Sequence, residues 1–203
     1  MGLVEELVRA RADYERGDWA AALTSWRDVH PDALGADDLM RLGTAYWLSG
    51  RYDDFVEVFQ RAFQIRSEAG EAPGAARAAG LLAIASLFAG RLAVAGGWEA
   101  RLERVLDELG QDVAERGYHA VVQMLRHVAA ADGPAALAST ATIVEYGRRF
   151  RDPDLIAMGL CGQGRLTLYT GRVPEGLALF DEAMVGIATG RSRRSSPAPC
   201  TAP

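Results

Sequence analysis

Glycine-marked turns recur along this chain at a spacing that few architectures can use. Gly17-Asp18-Trp19, Gly50-Arg51-Tyr52, Gly90-Arg91-Leu92, Asp132-Gly133-Pro134 and Gly171-Arg172-Val173 each interrupt a helical pattern, and their glycines lie 33, 40, 43 and 38 residues apart. Between turns the apolar residues repeat at i, i+3, i+4 and i+7, the period of a helix with one apolar face. The clearest unit runs from Ala36 to Ile65. Leu39, Leu42, Gly43 and Tyr46 mark its first helix, Gly50-Arg51-Tyr52 its turn, and Phe55, Phe59 and Ala62 its second helix. A pair of this size cannot bury its own apolar faces, so it must stack on neighbours of the same kind.

Five pairs account for the sequence. They are Leu3–Glu15 with Trp19–Val29; Ala36 to about Ala69; Ala75–Ala89 with Ala95–Leu109; Val113–Ala131 with Ala135–Phe150; and Asp152 to about Thr189. The last opens on Asp152-Pro153, an N-cap followed by proline at the first helical position. Pro31, Pro73, Pro134, Pro153 and Pro174 all fall in connections or first turns, where proline does not break a helix. No segment alternates long enough to be a strand. The expected fold is all-α, a right-handed superhelix of about five antiparallel helix pairs over residues 1–189, with an irregular helical bundle as the competing expectation.

The Ala36–Ile65 unit resembles the tetratricopeptide repeat, whose pattern runs Trp-x2-Leu-Gly-x2-Tyr, then Ala-x3-Phe, then Pro. Leu42, Gly43, Tyr46 and Phe59 match, whereas Leu39, Phe55 and Ser67 stand in place of the Trp, Ala and Pro. The resemblance implies that the first helix of each pair lines a concave groove. Carried along the chain from the second pair, the groove-facing candidates are Met40, Thr44 and Trp47, then Arg77, Ile84 and Phe88, then Gln123 and His127, then Arg165 and Tyr169. Aromatic anchors interspersed with arginine suit an extended peptide or an acidic motif. The carboxylate clamp of some tetratricopeptide proteins uses lysine and asparagine, and this chain contains neither.

That absence also bears on origin. All 22 basic residues are arginine, and lysine and asparagine have A-rich codons, so a GC-rich bacterial gene is implied. With the turn sequences GDWAAAL, GRYDDFVEVF and GRVPEGLALFDEAM, the chain resembles the helical-repeat region of large LuxR-type transcriptional regulators of high-GC bacteria. In that family such an array precedes a C-terminal helix-turn-helix, for which this sequence has no matching segment. The resemblance therefore implies a sensing or protein-interaction arm, with a free-standing adaptor or a small-molecule effector arm as alternatives.

Charge and motif content narrow the chemistry. A net charge of -5, with no basic stripe, argues against nucleic-acid binding by this segment. The most apolar run, Ala75 to Val94, is interrupted by Arg77 and Arg91, and the N-terminal MGLVEELVRA lacks the basic start of a signal peptide, so a cytoplasmic, non-membrane protein is expected. Cys161 and Cys200 form no disulfide framework. His119 and His127 lie two turns apart, too far to share a metal, and His30 adjoins Pro31 in a connection. No nucleophile, acid-base pair, metal set or cofactor motif converges, so no enzyme, metal or cofactor is expected.

From Gly190 the sequence becomes RSRRSSPAPCTAP, without apolar period, and residues 190–203 are expected to be a disordered tail. With plausible GC-rich codons, a one-base shift turns this tail into Glu-Val-Ser-Pro-Val-Leu-Ala-Gly-Pro-Val-Tyr-Cys-Thr, so a frameshift near Gly190 is a further expectation. The fifth pair ends in Met184, Val185 and Ile187 with no polar capping helix after it, which predicts self-association through that end.

Overall fold

The computed structural model describes the backbone of residues 2–27, 29 and 33–194. Among these residues are ten helices and no strand: α1 (Leu3–Glu15), α2 (Trp19–Trp26), α3 (Ala36–Leu48), α4 (Tyr52–Glu68), α5 (Ala72–Phe88), α6 (Leu92–Leu109), α7 (Glu115–Ala129), α8 (Gly133–Phe150), α9 (Pro153–Tyr169) and α10 (Val173–Arg194). They form the five tetratricopeptide-like pairs expected, odd-numbered helices first and even-numbered helices second. Helix α10 continues past Thr189, where the repeat domain was expected to end. His30, Pro31 and residues 195–203, which hold most of the expected tail, lie outside the described residues. None of the described helices is long and apolar enough to cross a membrane.

In the first four pairs the turn is built in one way: the first helix ends at a residue of positive φ, whose N–H and the one after it fold back onto the helix's last free carbonyls, the Schellman arrangement. In the fifth, Gly171 N donates to Leu168 O and Val173 N to Gly171 O. In the second pair Gly50 N donates to Trp47 O at 3.0 Å and Arg51 N to Tyr46 O at 2.8 Å. The five positive-φ positions are Gly17, Gly50, Gly90, Ala131 and Gly171, 33, 40, 41 and 40 residues apart. This is more even than the spacing of the glycines chosen from sequence. The fourth turn pivots on Ala131 at φ 57, and Gly133 is instead the first residue of α8. The start of α8 is fixed by the Asp132 carboxylate, which accepts from Ala135 N at 3.0 Å, and by Pro134 in the first turn. Alanine therefore takes the left-handed position, at a cost of about 1–2 kcal/mol.

The chain divides into two compact units, Met1–Ala85 with Ala93–Leu109, and Ser86–Leu92 with Gly110–Pro203. The first is packed with aromatic rings. Phe55 and Phe59 lie 4.4 Å apart between centroids, and Phe63 meets Trp98 edge-on at 5.3 Å, joining α4 to α6. Gly43 lets α3 approach α4, since a Cβ there would lie 2.8 Å from Val58 Cγ2 and closer still to the Phe59 ring. Helix α1 is tied to α3 by a forked ion pair: Arg11 Nε donates to Asp38 Oδ1 at 2.8 Å and Arg11 Nη2 to Oδ2 at 2.5 Å. The hydrogen bonds from Arg11 hold the Asp38 carboxyl below the usual carboxylate range, against the opposite pull of its burial.

The second unit joins an aliphatic core to close glycine contacts between helices. Leu155 and Ile143 are fully buried, with Val144, Leu160 and Ala183 beside them. Helix α9 rests on α8 through Gly159, whose added Cβ would lie 3.0 Å from the Val144 backbone nitrogen. On its other side Gly176 of α10 approaches Gly164, where a Cβ on either would sit 3.0 Å from the other's carbonyl oxygen. Asp152 anchors the α8–α9 corner: its Oδ1 caps α9 through Asp154 N and Leu155 N, and its Oδ2 accepts from the buried Tyr118 hydroxyl at 3.2 Å.

Candidate binding faces

The register of the turns decides which positions of the helices correspond. Counted back from the positive-φ residue, Thr44, Ile84 and Arg165 stand at one position, six residues before Gly50, Gly90 and Gly171. The same position of α7 is Leu125. Gln123 and His127 fall two residues out of step, because the fourth turn pivots on Ala131 and not on Gly133. Two residues rotate a helix by about 200°, so both lie on nearly the opposite side of α7 from Leu125. Gln123 is exposed, whereas His127 is half-buried in the last turn.

In the first unit α3 presents Met40, Thr44 and Trp47 in a line. Thr44 donates its hydroxyl back to Met40 O at 2.8 Å. Trp47 is 37% exposed, and its ring packs 5.4 Å from Phe55 and 6.3 Å from Tyr52, which fixes an aromatic surface in place. Arg77 is half-buried, and Ile84, 7% exposed, belongs to the core and offers little to a groove.

In the second unit Tyr169 is 74% and Phe88 60% exposed. Arg165 lies one turn before Tyr169 on the same face. It is half-buried, and its Nε is shut off from water without a hydrogen-bond partner. No ion pair reaches it among the described residues. Nearby Cys161 is half-buried, and burial pushes its thiol up, which keeps it protonated.

A further concave surface was not anticipated from sequence. Between α8 and α10, floored by α9, run two adjoining hollows of ≈ 440 and ≈ 480 Å³ that share Gln163, Leu179 and Glu182. Both are open to solvent, unlike the enclosed pockets that bury a small ligand. Val144 and Leu160 floor the first hollow, and Leu137 and Thr167 line the second. Only the regular turn register could have pointed here, by showing that Gln163 faces away from Arg165.

Helix α10, the last one described, also exposes apolar side chains. On α10, Val173, Leu177, Met184 and Val185 are 49–63% exposed. Met184 stands where α8 has Val144, counted from the N-cap, and Val144 is only 8% exposed because α9 covers it. The side chain of Ile187 is outside the described residues.

No protein-family model matches this sequence, and no curated protein is similar to it. Among solved structures, BtubC (BKLC) from P. vanneervenii is 19% identical with a TM-score of 0.55, the match covering 99% of this chain and 85% of that one. MamA of AMB-1 is 17% identical with a TM-score of 0.46, covering 89% and 88%. The likeness to BtubC extends over nearly the whole chain and is one of fold: an all-helical repeat.

Proposed function

We propose that this chain is a non-enzymatic interaction module whose first helices bind a protein or peptide carrying acidic groups. The observation that supports this reading is Arg165. Part of this guanidinium is withdrawn from water and, among the described residues, meets no carboxylate. A half-buried cation of this kind is stabilised by an acceptor brought from outside. Tyr169 on the same face, and Trp47 in the first unit, supply aromatic surface of the sort that anchors interfaces. In this reading Leu125 takes the place of Gln123 and His127 on α7 and Phe88 stays as a contact of the second unit, while Met40, Thr44 and Arg77 belong, with Trp47, to a face of the first unit considered by itself.

Isothermal titration with a short peptide alternating aspartate and leucine tests it. Arg165→Gln should weaken binding about tenfold, the equivalent of one charge-assisted hydrogen bond, and Tyr169→Ala should weaken it less. Unchanged affinity in Arg165→Gln would sink the reading, and a small metabolite that displaces the peptide would favour an effector arm instead. The further assignment, to the sensing arm of a LuxR-type regulator, is supported by the turn sequences GDWAAAL, GRYDDFVEVF and GRVPEGLALFDEAM. Sequencing the gene beyond the codon for Thr189 tests it, and a frame that opens onto a helix-turn-helix is the outcome it requires.

A further inference from the structure

The groove between α8 and α10 lies on the side of α9 turned away from Arg165 and has a different chemistry. Its floor is apolar, made by Val144, Leu160 and Leu179. Midway along it Gln163 lines both hollows, and its half-buried carboxamide makes no hydrogen bond among the described residues. A donor and an acceptor are therefore free at the centre of the groove.

The rim is acidic. Glu145 on α8 and Glu175 on α10 are exposed and carry no ion pair among the described residues. Glu182 meets Arg148 through one contact of 3.2 Å between side chains 55% and 63% exposed, an arrangement that contributes little and is readily exchanged. Arg172 stands at one end with its Nε donated to Thr170 Oγ1 at 3.2 Å. Three carboxylates thus face two guanidiniums, one of them already matched, in a chain of net charge -5. Both the local and the overall field favour a cationic partner.

Length and backbone chemistry narrow the partner further. From Leu137 to Arg148 the wall of α8 runs about 16 Å at 1.5 Å per residue, the reach of about five extended residues. A helical partner has its own backbone groups bonded and would leave Gln163 unused. An extended one brings free N–H and C=O groups, and its side chains alternate between two faces.

We infer that this groove binds an extended peptide segment in which apolar side chains alternate with arginine or lysine. The apolar side chains rest on Val144, Leu160 and Leu179, the basic ones reach Glu145 and Glu175, and a backbone amide pairs with Gln163. This goes beyond the preceding reading, since it concerns another surface and a partner of opposite charge.

The test is fluorescence anisotropy of the full chain with a labelled short peptide alternating leucine and arginine, against its leucine–glutamate counterpart. Binding is expected for the first and not the second. Glu145→Gln with Glu175→Gln should weaken it at least tenfold, and Gln163→Ala severalfold. Arg165→Gln, which reports on the other face, should leave it unchanged, and so should Glu57→Gln, an exposed carboxylate of α4. Equal binding of both peptides, an unaffected double variant, or an equal loss in Glu57→Gln would overturn the inference, the last by showing adhesion to charge alone. The exchanged carboxylates are exposed, so circular dichroism of the variants should match that of the unaltered chain, which keeps a loss of binding separate from a loss of fold.

Discussion

The two units build the same helix pair from different materials. In the first, rings fill much of the core, Tyr14 against Trp19 and Trp26, Trp47 against Phe55, Phe55 against Phe59, and Phe63 against Trp98, beside the buried alanines of α5 and one close approach at Gly43. In the second, helices are drawn together by missing side chains, with Gly159 under Val144 and Gly176 against Gly164. Large side chains hold helix axes apart and fill the gap, whereas glycine lets backbones touch and leaves no gap to fill. The first solution leaves its aromatic surplus at the surface, as Trp47 shows. The second places α8, α9 and α10 close enough to form a shallow groove instead of a filled seam.

Deleting one central side chain from each solution should separate them most sharply. Phe59→Ala removes a ring that is 1% exposed and should cost about 3–5 kcal/mol, because the surrounding rings cannot collapse into the space. Gly159→Ala adds a methyl 2.6 Å from Val144 Cγ2 and should cost about 1–3 kcal/mol as overpacking. Urea unfolding gives both values, and hydrogen exchange shows whether each loss stays within its own unit. A Gly159→Ala variant as stable as the parent would mean that α9 can slide away from α8, and close backbone approach would no longer distinguish the second unit.

A second difference is electrostatic. The first unit buries Asp38 at 4% exposure against Arg11 and, more distantly at 3.4 Å, Arg41. Its folded-state pKa is lowered by the Arg11 hydrogen bonds, so its contribution is present above the unfolded carboxylate range, near 3.9, and is lost as pH falls through the lower folded value. Arg11 is 47% exposed, and with that screening the pair should be worth only about 1–2 kcal/mol at neutral pH. Asp38→Asn should therefore destabilise the first unit at pH 7 and lose its effect in strong acid. The measurement is stability against pH for both chains, and parallel curves would remove Asp38 from the account.

How far the sequence disclosed this molecule follows from the same contrast. The helices were legible because apolar spacing and turn residues act locally. Turn residues, however, are legible only when they conform. Gly17, Gly50, Gly90 and Gly171 take the left-handed position that glycine favours, but the fourth turn gives that position to alanine and leaves its glycine inside α8. That displacement of two residues put Gln123 and His127 out of step on α7 and hid Leu125 as the residue at the register position of Arg165. The α8–α10 groove was less visible still. It depends on how closely three helices approach, which is set by Gly159 and Gly176 meeting particular partners, and a single chain's pattern does not state such meetings.

The smallest effect tests the turn directly. Ala131 sits at φ 57 with its surroundings exposed, so its Cβ strains the backbone while packing against little. Replacing it by glycine relieves that strain but gives the unfolded chain more freedom to lose on folding. With the strain near 1–2 kcal/mol and the entropy near 0.5–1 kcal/mol, Ala131→Gly should stabilise the second unit by about 0.5–1 kcal/mol, readable as a small rise in Tm. The opposite exchange, Gly50→Ala, should cost a similar amount in the first unit, because the two positions are equivalent in the turn. If Ala131→Gly instead destabilises while Gly50→Ala does the same, the fourth turn is held by Asp132 and Pro134 firmly enough that the left-handed residue bears no strain, and the equivalence of the first four turns is geometric without being energetic.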